Sequence, residues 1–314
     1  MNKVSIIGAG NVGATIAYSL AITGSASEIV LIDINQEKAL GEALDIQQGT
    51  PFCGNCSVYA GSYRDAANSN IVVVTSGLAR KPGQSRLELA QVNVDITKSI
   101  IPQITKYAPD ATYIIVSNPV DILTYTFNKY SGLPEQRIIG SGTILDTARL
   151  RARLSEYYNI SQSNVHAYVF GEHGDSSFVP WSIANISNVP IADCNGNILK
   201  PIFVDSKLDL NEVETFMKKS GGQVIQHKGA TFYAVSVSVC HICKCLLSKI
   251  DTTMTISTMM HGEYGINDVC LSTLNLVGHD GIRGKIHVDL NDEEIAKLRH
   301  SADTLKNVIK SLNI

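Results

Sequence analysis

The chain has 314 residues and a formal net charge of −3. That length suffices for two modest domains, and the charge supplies no basic field to hold nucleic acid or an anionic membrane surface. No apolar run approaches the ~20 residues needed to cross a bilayer. The opening MNKVSIIGAG enters a strand with no charged-then-apolar leader, so a cytoplasmic protein is expected.

In chain order, Val4–Ile7 reads as an apolar strand and Val12–Thr23 as a helix ending at Gly24. Glu28–Ile32 is a second strand, and NQEKALGEALDIQQG a polar helix ending near Gly49. IVVVT and YIIVSNP are further runs of strand length. Between them Leu87 to Tyr107 has helical character, with Pro102 marking a kink or break. Short continuous apolar strands joined by helices predict a parallel sheet covered on both faces. The expected fold is α/β, a doubly wound parallel (Rossmann) sheet over residues 1–142, followed by an α+β catalytic domain over 143–314. In that second half, Ile144–Tyr158 reads as a helix, and VHAYVFGEHGD as a strand running into a loop. Helices follow at Asn211–Met217 and Ala230–Ser248, then two strands around the Asp280–Gly281 turn. Asn291 can cap a last helix through Glu294, with Ile295, Leu298, Ala302, Leu305, Ile309 and Leu312 as its apolar stripe.

Seven cysteines, an odd number, argue against a disulfide framework. CGNC and CHIC have a spacing that zinc accepts. CHIC, however, lies in TFYAVSVSVCHICKCLLSK, which reads as a buried helix where Cys is a small apolar residue. No metal is expected.

IIGAGNVG opens a helix directly after a strand and carries Gly8, Gly10 and Gly13 in G-x-G-x-x-G spacing. The first glycine permits a tight turn, the second lets a pyrophosphate reach the backbone, and the third lets helix and strand pack closely. The helix start, at Asn11 and Val12, offers free N–H groups to the phosphates. Asp33 ends the second strand 20 residues after Gly13. A carboxylate there accepts from a ribose 2′-hydroxyl and repels a 2′-phosphate, which favours NAD over NADP.

Four polar clusters address the chemistry. SNPVD places Asn118 after a strand, where open α/β sheets border their ligand crevice. In LDTAR, Asp146 and Arg149 share one helix face. GEHGD presents His173, and KPGQSR brings Arg86. Singly, each has an ordinary structural reading: a helix ion pair, a satisfied loop histidine. Together they match what hydride transfer to a 2-keto acid requires. His173 can donate and regain a proton near neutral pH, and Asp146 would orient it and raise its proton affinity. Arg149 can fork onto a carboxylate. Arg86 would polarise the carbonyl, and Asn118 would hydrogen-bond its oxygen.

These motifs, with SNPVDILTY and IGSGTILDTARLR in the same order, resemble the lactate/malate dehydrogenase family over essentially the whole chain. The resemblance implies an NAD-dependent L-2-hydroxyacid dehydrogenase of glycolysis and fermentation. His173 would be its acid/base, Asp146 the orienter, Arg149 the carboxylate clamp, and Arg86 would ride on a loop that closes over substrate. It also implies Lys38 and Tyr63 near the cofactor, Thr231 near the substrate side chain, and a homotetramer. The position before KPG separates the branches: Arg80 is the malate-type residue, whereas Thr231 and GTILDTARLR fit the bacterial lactate pattern. Gln84 fits neither cleanly. Arg151 and His166 match the pair that holds fructose 1,6-bisphosphate as an allosteric activator in bacterial lactate enzymes. Pyruvate reduction to L-lactate is therefore the expected reaction, with oxaloacetate and malate as the alternative.

Overall fold

The computed structural model describes residues 2–78, 85–191, 208–248 and 250–314. Arg80, Lys81, Gln84 and Cys194 lie outside the described residues, as does the Arg86 side chain.

The first half alternates as read. β1 (Lys3–Ile7), α1 (Asn11–Ile22), β2 (Glu28–Ile32), α2 (Gln36–Gly49) and β3 (Ser57–Ala60) are followed by β4 (Ile71–Val74) and α3 (Arg86–Tyr107). Then come β5 (Thr112–Ile115), α4 (Val120–Tyr130) and β6 (Ile138–Gly140). These six strands pair in parallel in the order β3-β2-β1-β4-β5-β6. The order reverses direction between β1 and β4, so a crevice opens beyond the carboxyl ends of those two strands. α3 starts at a capping box, in which Ser85 accepts from the Glu88 N–H and Glu88 answers. It continues through Pro102 without the expected break.

The second half holds α5 (Ile144–Tyr158), the short strands β7 (Val165–His166), β8 (Asn185–Ile186) and β9 (Val189–Pro190), and α6 (Leu210–Lys228). α7 (Tyr233–Leu247), β10 (Thr252–His261), β11 (Asn267–Gly278), β12 (Gly281–Lys285) and α8 (Asp292–Ser311) complete it. β7–β9 form a small antiparallel sheet. β10–β12 are antiparallel and extend the large sheet, because Ser257 of β10 pairs with Gly140 of β6. The two halves thus share one nine-stranded sheet.

Alternation along the parallel strands feeds two cores. Val4 and Ile6 face one side with Ile16, Leu20, Val239 and Ile242 from α1 and α7. Ile7, Val72 and Val74 face the other with Ile104, Phe127 and Leu298 from α3, α4 and α8. The α8 stripe is core: Leu298, Ala302, Leu305 and Leu312 are buried there, and Asn291 and Glu294 form the expected capping box. A third core joins α5 and α6 to the small sheet through Leu150, Leu154, Val165, Val213 and Met217. Among the described residues, no helix is long and apolar enough to cross a membrane.

Candidate active site

The glycine turn after β1 is shaped by contacts that only hydrogen side chains permit. Gly8 has φ +107°, a left-handed conformation that favours glycine. A Cβ on Gly13 would lie 1.9 Å from the Gly8 carbonyl oxygen, so helix and strand could not pack this closely with any other residue. Gly10 caps α1 in an extended conformation without a side chain, and a Cβ there would meet nothing within 4 Å. The cap residue therefore offers the first-turn N–H groups of α1 no side-chain acceptor. Asp33, at the end of β2, braces the turn: Oδ2 accepts from the Ala9 N–H at 2.7 Å and Oδ1 from the Asn35 N–H at 2.8 Å. Its remaining lone pairs are available to ribose hydroxyls. Tyr63 is half-buried; burial, then the charge of Asp33, pushes its phenol up. Asn11 and Lys38 are exposed in the first turns of α1 and α2, and Val12 is half-buried. The cradle, the open helix start and the carboxylate fit a dinucleotide without a 2′-phosphate.

At the other end, α5 begins beside β6 and presents Asp146 in its first turn, 6 % exposed. Asp146 Oδ2 meets His173 Nδ1 at 2.6 Å, and Oδ1 accepts from Arg149 Nη1 at 2.9 Å. One carboxylate thus holds both the imidazole and the guanidinium. The Asp146 charge is the largest influence on His173 and raises its pKa; burial opposes, and the hydrogen bond to Asp146 and the Asp121 charge add to the rise. Burial works to raise Asp146, but the His173 charge and hydrogen bond, then Arg149, hold it below the usual carboxylate range. With Nδ1 engaged, Nε2 is the nitrogen left to exchange a proton with a ligand.

His173 is also held by its backbone. Its N–H donates to Asp121 Oδ2 at 2.7 Å, and Asp121 Oδ1 accepts from Ser257 Oγ at 2.5 Å. Asp121 is 3 % exposed, and burial pushes its carboxyl up to about 6 against those hydrogen bonds and the His173 charge. Asn118, just before α4, keeps an exposed side chain whose Oδ1 accepts weakly from the Val120 N–H at 3.3 Å. Its carbonyl is fixed by buried Asn93 of α3, which donates at 2.7 Å. Asn93 Oδ1 also accepts from the Leu78 N–H at 2.8 Å, so one amide ties the chain after β4 to the chain before α4.

Residues 2–140 match the lactate/malate dehydrogenase NAD binding domain, and residues 143–313 match the lactate/malate dehydrogenase alpha/beta C-terminal domain. The chain belongs to the lactate/malate dehydrogenase family. It is 45% identical over 322 residues to the L-lactate dehydrogenase of Thermoanaerobacterium saccharolyticum, covering 100% of both chains. It is 43% identical to that of Acetivibrio thermocellus, over 100% of this chain and 98% of the other. Among solved structures, the minor L-lactate dehydrogenase of Enterococcus mundtii in ligand-bound form superposes with a TM-score of 0.94 at 36% identity, covering 100% and 99% of the two chains. The L-lactate dehydrogenase of Clostridium thermocellum gives 0.89 at 38% identity over 100% of each.

In this dehydrogenase the first half is thus an NAD-binding domain, in agreement with its glycine cradle and Asp33. Thr231 is half-buried in the connection between α6 and α7. Arg151 donates from Nε to the Ala167 carbonyl at 3.0 Å and lies over the Tyr168 ring, while His166 is exposed on β7. The six described cysteines are free thiols; burial raises those of Cys56, Cys240, Cys243, Cys245 and Cys270, and no metal-binding cluster occurs among the described residues.

Three site residues escaped the sequence reading: Asp121, Asn93 and Gly221. Asp121 stood within the quoted SNPVD, and a carboxylate after a strand end was a usable signal. Asn93 lies inside a helix, where nothing in its neighbours marks it. Gly221 adjoins Gly222 in the interior of α6; a Cβ on it would lie 3.5 Å from Arg149 Nη2.

Proposed function

We propose that the chain is an L-lactate dehydrogenase that reduces pyruvate with NADH to L-lactate and runs the reverse oxidation. When bound, the dinucleotide supplies or takes up the hydride. Arg149 binds the substrate carboxylate through the guanidinium edge that Asp146 leaves free. His173 Nε2 donates a proton to the carbonyl oxygen as the carbonyl carbon is reduced, and Asp146 stabilises the imidazolium before that transfer. Asn118 hydrogen-bonds the same oxygen, and Arg86 polarises it when its loop closes and expels water. The cofactor contacts are assigned to Gly8, Gly10, Asn11, Val12, Gly13, Asp33, Lys38, Tyr63 and Asn118, with Thr231 facing the substrate methyl. Residues 1–142 and 143–314 are taken as the two functional domains, and the cytoplasm as the setting.

The observation that carries this reading is the pair of bonds from one buried carboxylate to His173 and Arg149. The full-length likeness to L-lactate dehydrogenases supports the lactate branch. Arg80 favours a second reading, malate dehydrogenase, because a guanidinium can pair with the second carboxylate of oxaloacetate. A homotetramer activated by fructose 1,6-bisphosphate at Arg151 and His166 belongs to the first reading. Paired kcat/KM measurements with NADH decide between the two: pyruvate is expected to be the better substrate, and a large oxaloacetate preference overturns the lactate assignment.

A further inference from the structure

We propose that Asp121 is a positioning residue for proton transfer, fixing the His173 segment and acting as a second anion that favours the protonated imidazole. The inference rests on His173 being the proton donor of the proposed reaction.

Asp121 occupies the first turn of α4, on the nucleotide side of the molecule. Both of its oxygens are taken by the second half: the His173 N–H on one, the Ser257 hydroxyl of β10 on the other. A neutral asparagine could make both hydrogen bonds at less desolvation cost, so the bonds alone do not require a carboxylate. What a carboxylate adds is charge. Among the described residues it forms no ion pair with Lys or Arg, and the cation that acts on it is the His173 imidazolium. Glu172, from the same loop, opposes its ionisation. Around the imidazole itself stand Asp146 and Arg149 of α5, anion and cation, and Asp121 of α4. A further titratable neighbour of Asp121 is the Cys270 thiol of β11, which burial and then the Asp121 charge push well up, so it carries no charge at neutral pH.

The sign follows from these groups. Burial pushes Asp121 up to about 6, so it is ionised above that pH. There it favours the imidazolium, and the form competent for pyruvate reduction persists to higher pH. Below about 6 Asp121 is protonated, but His173 retains its proton anyway through Asp146.

The test is Asp121→Asn in the full-length enzyme. Asparagine keeps an acceptor for the His173 N–H and donates to Ser257. The His173 titration, followed by NMR with labelled histidine, is expected to move to lower pH by roughly half a unit. The alkaline limb of kcat/KM for pyruvate should move with it, with activity closest to wild type at pH 6 and lost earlier on the way to pH 8. Ser257→Ala removes a donor that favours the ionised carboxylate and should give a smaller shift in the same direction. An unmoved His173 midpoint in Asp121→Asn overturns the proposal, even with a lowered kcat, because anchoring alone would leave the titration in place. Absence of pyruvate turnover in the wild type would instead remove the lactate reading. A lowered midpoint in that case would still support the action of Asp121 on the imidazole.

Discussion

Asp146 carries two duties through two oxygens. Its charge raises the proton affinity of His173, and its second oxygen holds Arg149. Asp146→Asn removes the charge, so the imidazolium is lost at lower pH. The alkaline limb of pyruvate reduction should shift downward, with kcat/KM at pH 7.5 reduced by roughly 10²–10⁴-fold. Pyruvate KM should rise as well, because Arg149 loses its anchor. A steady-state pH profile reads both effects; an unmoved limb would mean that Asp146 does not set the histidine's charge. His173 shows why this trio was legible. Proton transfer, carboxylate binding and orientation each demand a particular functional group, and those groups stood in short motifs. Asp121 and Ser257 were harder, since their roles arise from contacts 52 and 136 residues apart that no local pattern announces.

Elements were legible where burial was one-sided. α8 displayed a stripe and a capping box, and both are present. α4 was not read: Val120 to Phe127 are all buried, so burial does not single out one face. β10 was missed for the same reason, with seven consecutive buried residues and no two-residue alternation. α6 was read too short because its interior holds Gly221 and Gly222, which disfavour helix by about 1 kcal/mol each relative to alanine. Its third-core anchors, Val213 and Met217, compensate by tertiary packing. Gly221 faces Arg149, so its size matters. Gly221→Ala should fit, stabilise the protein by up to about 1 kcal/mol and keep activity, because the new methyl makes an ordinary contact. Gly221→Val should press on the guanidinium and raise pyruvate KM roughly tenfold or more with a smaller change in kcat. Thermal melts and steady-state kinetics check the pair; equal kinetics for the two variants would mean that α6 does not limit the clamp.

At the scale of the whole molecule, the sequence divided more cleanly than the structure does. The change from parallel to antiparallel pairing was visible as a change in pattern. That both parts share one sheet depends on a single pairing between Ser257 and Gly140, which no periodicity encodes. α7 also crosses over to pack on α1, where Ser236 Oγ donates to the Val12 carbonyl at 3.2 Å. The halves should therefore melt in one calorimetric transition, and two well-separated transitions would show that the seam is not cooperative. The same seam brings His173 and Asp146 of the second half to the carboxyl end of the nucleotide sheet. The most direct test of their joint action is His173→Asn, assayed for NADH binding by fluorescence and for pyruvate reduction by stopped flow. NADH affinity should be unchanged while the hydride-transfer rate falls roughly 10²-fold or more. A variant that binds NADH and reduces pyruvate at close to the wild-type rate would contradict the assignment of the imidazole as proton donor.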